Sequence, residues 1–129
     1  MSLTLLSACA QGTASGEQND TKEAKDFRKY ATAICLGSSF KEESVIADAN
    51  RSANVYLGNV DLAAYETVRT LLKSWKPNGF TTKQGPQAAI ARCIEFSESD
   101  AVHNVFRQFD PCTSADAWLD PEDFKAQCK

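Results

Sequence analysis

Apolar residues recur with the period of an α-helix along most of the chain, and this spacing constrains the fold more than any other feature. In the first such segment, Phe27, Tyr30, Ala31, Ile34 and Cys35 fall at offsets of 0, 3, 4, 7 and 8, which places them on one helical face. The same period returns in later segments, and none shows the sustained alternation that is typical of a β-strand. The sequence therefore predicts an all-α protein, a compact bundle of about five to six helices.

Glycine, proline and aspartate mark where these helices are expected to begin and end. The expected ends are, in chain order, Gly37, Gly58, Pro77 and Asp110. The expected beginnings after the first helix include Asp61, Pro86 and Asp120. The fourth helix is predicted to bury an apolar face that holds Ile90, Cys93 and Ile94.

The cysteines indicate an oxidising compartment. When Cys9 is set aside, four remain, and an even number in an exported protein is typical of two disulfides. Four cysteines allow three pairings. We expect Cys35–Cys93, because both residues lie on apolar faces of predicted helices, and Cys112–Cys128, because these two bracket a short C-terminal segment.

The N-terminal residues 1–19 are expected to be a signal-peptide remnant followed by a polar tether, with the helical domain at 20–129. Leu3, Leu5 and Leu6 are interpreted as the remainder of the apolar region of a signal peptide. The stretch from Leu6 to Cys9 resembles a bacterial lipobox, in which Cys9 would be lipidated. Cleavage near Ala8 to Ala10, without lipidation, and an ordinary polar N-terminus are the alternatives.

Charge and residue content exclude several classes of function. The formal net charge is -3 and no basic run occurs, which argues against nucleic acid as a partner. No apolar stretch approaches the roughly 20 residues that cross a bilayer. The one histidine, His103, is expected to be a surface or boundary side chain, and cysteines held in disulfides are poor zinc ligands. We therefore expect no enzyme activity, no metal and no cofactor.

The connection between the third and fourth helices is the best candidate for a recognition element. It runs over residues 76–86, which is longer than most connections in helical bundles, and it places an aromatic side chain among polar neighbours. The residues predicted to contact a partner are Phe80, Thr81, Thr82, Lys83 and Gln84. The alternative is that Phe80 packs back onto the bundle.

Three stretches of the sequence resemble a known family. They are AICL at residues 33–36, SANVYLGNVDLAAYE at 52–66 and ARCIE at 91–95. Together they resemble the immunity proteins that protect bacteria against type VI secretion amidase effectors of the fourth family, and the likeness covers roughly residues 27–109. The Cys112 to Cys128 tail has no counterpart in that resemblance.

This resemblance implies a function and a partner. Such proteins are small, exported and all-helical, commonly form homodimers and work in the periplasm. The resemblance implies that the protein binds a papain-like peptidoglycan amidase, which cuts between D-glutamate and diaminopimelate, and that it occludes the cleft with a protruding part and catalyses nothing. The alternatives are an exported structural or scaffold lipoprotein of the cell envelope and an inhibitor of lysozyme-like enzymes.

Overall fold

The computed structural model describes residues 21–75 and 88–128 of the chain. These residues form six α-helices and two short 3-10 turns, with no β-strand among them, so the all-α prediction is confirmed. The helices are α1 (Lys22–Ser39), α2 (Glu43–Val55), α3 (Leu62–Ser74), α4 (Ala89–Glu98), α5 (Asp100–Gln108) and α6 (Pro121–Gln127). The turns, Pro111–Thr113 and Ala115–Ala117, lie between α5 and α6.

Short polar side chains begin four of these helices. The Thr21 hydroxyl accepts the N–H of Ala24 at 3.2 Å. The side chains of Asp61, Ser99 and Asp120 likewise accept backbone N–H groups in the first turns of α3, α5 and α6. Each cap satisfies a backbone donor that the helix leaves free, which stabilises that helix by about 1 kcal/mol.

Helix α1 lies at the centre of the bundle and contacts α2, α3, α4 and α5. Its buried aromatic residues pack on the neighbouring helices: the ring centroid of Phe27 lies 5.7 Å from that of Tyr65 and 5.5 Å from that of Phe106. The rings of Tyr30 and Tyr65 meet edge to face at 4.7 Å. These contacts join α1, α3 and α5 into one core.

Both predicted disulfides are present. Cys35 of α1 is bonded to Cys93 of α4 with their Cα atoms 5.4 Å apart, and both residues are fully buried. Cys112 is bonded to Cys128 with a Cα separation of 5.2 Å. The first disulfide crosses the core and the second closes the C-terminal segment.

The C-terminal segment, residues 110–128, forms a small unit of its own beside the bundle. Its disulfide encloses Trp118, whose indole N–H donates to the carbonyl of Pro111 at 2.9 Å and whose ring meets that of Phe124 edge to face. Its two turns and α6 make few contacts with α1 to α5. The disulfide and the Trp118 contacts therefore provide most of what holds this unit together.

The first helix does not end at Gly37 as predicted. Helix α1 continues to Ser39, and the Ser38 and Ser39 hydroxyls donate to the carbonyl of Cys35 at 2.9 and 2.7 Å. Gly37 instead lies against α2, where an added Cβ would stand 3.2 Å from the Cβ of Ala49. The glycine therefore permits close packing of two helices rather than a chain reversal.

The predicted buried face of α4 is also corrected. Cys93 is fully buried, but Ile90 and Ile94 are 62% and 46% exposed. Phe96, which lies three residues after Cys93, is fully buried and takes the place expected for the isoleucines. Helix α4 therefore packs through Cys93 and Phe96 and presents both isoleucines outward.

Candidate functional site

The residues predicted to contact a partner, Phe80 to Gln84, lie outside the described residues, and so does Cys9. The structure does describe the two helices that residues 76–87 connect. Helix α3 is followed by Trp75, and α4 is preceded by Ala88. The candidate site is therefore built from the side chains that hold these two helix ends together.

Arg92 of α4 binds Trp75 in two ways. Its guanidinium donates from Nη2 to the Trp75 carbonyl oxygen at 3.2 Å, and its Cζ lies 5.6 Å from the centre of the Trp75 ring. The same ring meets the buried Phe96 edge to face at 5.2 Å. Trp75 is the last described residue before the connection. A hydrogen bond, a cation–π contact and an aromatic contact thus fix it to Arg92 and Phe96 of α4.

The core disulfide lies directly behind this contact. Arg92 Nη1 is 3.7 Å from Cys35 Sγ, and the Ser39 hydroxyl is 3.5 Å from Cys93 Sγ. The C-terminal end of α1, the end of α3 and the beginning of α4 therefore meet around one covalent link. We refer to Trp75, Arg92 and Phe96, with Cys35–Cys93 behind them, as the platform.

The platform was not predicted from the sequence. No sequence feature distinguishes Trp75, and Arg92 is part of the ARCIE stretch that resembles the family. The available signal is a lone arginine between apolar residues in the ARCI stretch, because a charged side chain beside a buried position has to find a partner. Nothing in the sequence identifies Trp75 as that partner.

A second set of polar contacts fixes the connection between α2 and α3. The carboxylate of Glu23 is buried and accepts the N–H of Asn59 at 3.1 Å. The Tyr65 hydroxyl accepts the N–H of Gly58 at 2.9 Å. Burial raises the pKa of Tyr65 above its ordinary value. This connection lies at the centre of the 52–66 stretch that carries the family resemblance.

His103 is buried, which corrects the expectation of a surface or boundary side chain. Its Nδ1 lies 2.8 Å from the carbonyl oxygen of Ser99, one turn earlier, and Nε2 has no hydrogen-bond partner among the described residues. Phe27 and Phe106 are among the residues around it. The four described cysteines are all in disulfides, so none of them presents a thiol to this imidazole.

Surface grooves lie between helices in the described part of the chain. One, of about 280 Å³, separates α1 from α2 and has Lys29 at its edge, with the ammonium 5.4 Å from the centre of the Tyr56 ring. Another, of about 570 Å³, is open to solvent and lies between α3 and α5. Within the described ranges no group of histidine, cysteine and carboxylate side chains has the arrangement of a metal site. None of the described helices is both long and apolar enough to cross a membrane.

Comparison with known proteins identifies the family. A family model described as Tai4, type VI secretion system (T6SS), amidase immunity protein, matches residues 25–106. The match covers more than half of the chain and extends from the first turn of α1 into α5. It therefore includes the platform and Asn59, whose N–H is accepted by the Glu23 carboxylate. No curated protein matches the chain. The chain belongs to the Tai4 family of type VI secretion system amidase immunity proteins.

Proposed function

We propose that this protein binds a type VI amidase effector and blocks its active-site cleft with residues 76–86. The residues that enter the cleft are Phe80, Thr81, Thr82, Lys83 and Gln84. Membership of an amidase immunity family supports an effector as the partner. The observation that carries the assignment of this segment is the contact between Arg92 and Trp75, which ties together the two helix ends from which the segment leaves.

The physical argument concerns the entropy of binding. Any conformational freedom that a connection loses when it enters a cleft subtracts from the affinity. Holding both ends of the segment on a rigid base reduces the loss, because fewer chain conformations are available before binding. The platform is such a base, since a disulfide, a charged hydrogen bond and two ring contacts fix it.

The proposed target is a papain-like amidase that cleaves between D-glutamate and diaminopimelate in peptidoglycan, and the proposed place of action is the periplasm. Two disulfides in a small domain support an oxidising compartment.

We propose that the immunity protein acts as a homodimer, as the family resemblance implies. Mass spectrometry of the exported protein would distinguish lipidation at Cys9 from cleavage near Ala8.

The test is calorimetry of the oxidised protein with the amidase effector encoded beside its gene, and peptidoglycan hydrolysis is assayed in parallel. The expected result is tight binding with loss of hydrolysis. The segment is tested with Phe80→Ala combined with Lys83→Glu, which is expected to restore hydrolysis. The matched control is Leu119→Ala combined with Lys125→Glu, because these are also an exposed apolar residue and an exposed lysine but lie in the C-terminal unit.

The outcomes separate the partner from the segment. Absence of binding by the unaltered protein would contradict the immunity function toward this amidase. Binding with full inhibition by the Phe80 and Lys83 variant would contradict the role of residues 76–86 and leave the partner intact. Loss of inhibition in the control as well would show that the effect is not confined to the segment.

A further inference from the structure

The two sulfur atoms of the core disulfide have different surroundings. Arg92 of α4 donates from Nη1 to Cys35 Sγ at a nitrogen–sulfur distance of 3.7 Å. The uncharged hydroxyl of Ser39 lies 3.5 Å from Cys93 Sγ and 3.9 Å from Cys35 Sγ, so the guanidinium is what distinguishes the two sulfurs. Because both cysteines are fully buried, solvent screens this difference little.

The positive charge of Arg92 is not neutralised by a carboxylate of the described helices. Arg92 forms no ion pair with another residue in the described part of the chain. Its other contacts are with the carbonyl oxygen and the ring of Trp75, neither of which carries a net charge. These contacts also fix the guanidinium, because the carbonyl holds Nη2 while Nη1 lies at the sulfur. A positive charge is therefore held beside Cys35 Sγ.

This charge has its main effect when the disulfide is reduced. The sulfur of a disulfide is uncharged and a weak acceptor, so the hydrogen bond from Arg92 stabilises the oxidised protein little. A thiolate carries a negative charge, and a neighbouring arginine favours the thiolate form of a cysteine over the thiol. The hydrogen bond is then charged on both sides, which strengthens it. Arg92 therefore stabilises the reduced protein more than the oxidised one.

We propose that Cys35 is the thiolate of the reduced pair, that Arg92 is its charge partner, and that this contact makes the Cys35–Cys93 disulfide easier to reduce. With glutathione as the reductant, two glutathione thiols give up two electrons and two protons and form one glutathione disulfide. The protein disulfide takes up both electrons. One proton binds to Cys93 as a thiol and the other goes to solvent, because Cys35 stays a thiolate. This inference does not depend on the amidase.

The test equilibrates the full chain with glutathione buffers of increasing reducing strength at neutral pH. Differential alkylation and mass spectrometry report the reduced fraction of each disulfide separately. In Arg92→Gln the equilibrium constant for reduction of Cys35–Cys93 is expected to fall by about tenfold, the low end for a pair of opposite charges, because Arg92 is half-buried. This fall corresponds to a reduction potential that is about 30 mV more negative.

Three controls separate the charge of Arg92 from its effect on stability. The Cys112–Cys128 disulfide of the same molecule is expected to keep its equilibrium constant in Arg92→Gln. Arg92→Lys retains a positive charge and is expected to restore most of the effect on Cys35–Cys93. Trp75→Leu removes the ring contact but leaves the charge at Cys35, so it is expected to lower stability without changing the equilibrium constant.

The ultraviolet absorbance of the thiolate identifies the sulfur that carries the charge. Cys93→Ala leaves Cys35 as a free cysteine and is expected to show thiolate absorbance at neutral pH. Adding Arg92→Gln to this variant is expected to abolish the absorbance. Cys35→Ala leaves Cys93 instead and is expected to show none.

Several results would overturn the proposal. An unchanged equilibrium constant in Arg92→Gln would show that the charge has no effect, and an equal fall for Cys112–Cys128 would show that the effect is not local. Thiolate absorbance from Cys93 but not Cys35 would place the charge on the other sulfur. Loss of the helical circular dichroism on reduction would leave Arg92 without a fixed place beside Cys35.

Discussion

Arg92 of α4 contacts Trp75, which precedes the connection between α3 and α4, and this pair joins the end of α3 to α4. The guanidinium donates to the Trp75 carbonyl at 3.2 Å and also lies over the indole ring. The pair therefore restrains both the backbone and the side chain of the residue from which the proposed inhibitory segment leaves. Its contribution to stability and its contribution to inhibition can be measured separately.

Arg92→Ala is expected to lower the free energy of unfolding by about 1–2 kcal/mol, because it removes a charged hydrogen bond and a cation–π contact at a half-buried site. It is also expected to weaken inhibition of the amidase, because the end of α3 is then less restrained. Urea denaturation and the hydrolysis assay measure the two effects. Arg92→Lys keeps the charge but not the planar guanidinium and is expected to give an intermediate result. Equal stability of all three proteins would contradict the role of this pair.

Gly58→Ala is expected to destabilise the protein by about 1–3 kcal/mol, because the added Cβ would collide with the buried carboxylate of Glu23. The displaced carboxylate would lose the Asn59 N–H. Thermal and urea unfolding measure the change. Gly37→Ala is the matched glycine control. Its Cβ would lie 3.2 Å from the Ala49 Cβ and 3.8 Å from Asn50 Oδ1, and alanine favours the helix by about 1 kcal/mol, so a smaller effect is expected.

A double-mutant cycle tests whether Glu23 is the cause. In a Glu23→Ala background the space beside Gly58 is open, so Gly58→Ala is expected to cost much less than in the unaltered protein. Equal costs in the two backgrounds would mean that the collision is relieved in some other way and that Gly58 is required for another reason.

Stability is expected to fall at alkaline pH because of Tyr65. Burial raises the pKa of Tyr65 above 10.0, so the folded state keeps its phenolic proton at a pH where the unfolded state loses it. The contribution is therefore fully present below about pH 10 and is lost as the pH rises through the folded-state value, with a slope of at most about 1.4 kcal/mol per pH unit. Urea unfolding at several pH values between about 8 and 11 measures this loss of stability, because the range includes the ordinary pKa of tyrosine, about 10.

Tyr65→Phe isolates this residue from the other titrating groups. The variant is expected to lose about 1 kcal/mol at neutral pH, because the Gly58 N–H loses its acceptor. Its stability is also expected to fall less steeply above pH 10. If the two proteins have parallel pH profiles, another group causes the alkaline loss.

The helices and the disulfides could be predicted because each depends on local information. Apolar spacing identifies a helix, and Cys35 and Cys93 could be paired because both lie on predicted buried faces. The same spacing misplaced Ile90 and Ile94, since periodicity finds an apolar stripe but does not decide which stripe packs when a helix carries more than one. Phe96 gives α4 a second stripe, and its contact with Trp75 decides the orientation.

His103 and the platform could not be predicted for a related reason. In the buried imidazole Nδ1 meets the Ser99 carbonyl one helical turn earlier, while Nε2 has no hydrogen-bond partner among the described residues, and neither feature leaves a signal in residue composition. Arg92 and Trp75 meet only because α3 and α4 pack near the same disulfide. Contacts of this kind depend on how the helices assemble and therefore require the structure.

The two disulfides are expected to have different effects on the protein. Cys35–Cys93 closes a sequence separation of 58 residues and crosses the bundle core, so Cys35→Ala combined with Cys93→Ala is expected to lower the free energy of unfolding by about 4 kcal/mol in the chain-entropy model. The platform loses its covalent link in this variant, and inhibition of the amidase is expected to weaken with it.

Cys112→Ala combined with Cys128→Ala is the comparison. This bond closes a separation of 16 residues, and the unit it encloses makes few contacts with α1 to α5. The expected loss of about 3 kcal/mol should therefore appear as local opening of residues 110–128, seen as early hydrogen exchange at Trp118 and Phe124, while the bundle unfolds near its original midpoint. Inhibition is expected to be retained, because the platform and α4 lie outside this unit. A shift of the bundle's own unfolding midpoint as large as that of the Cys35 and Cys93 variant would contradict the separation of the two units.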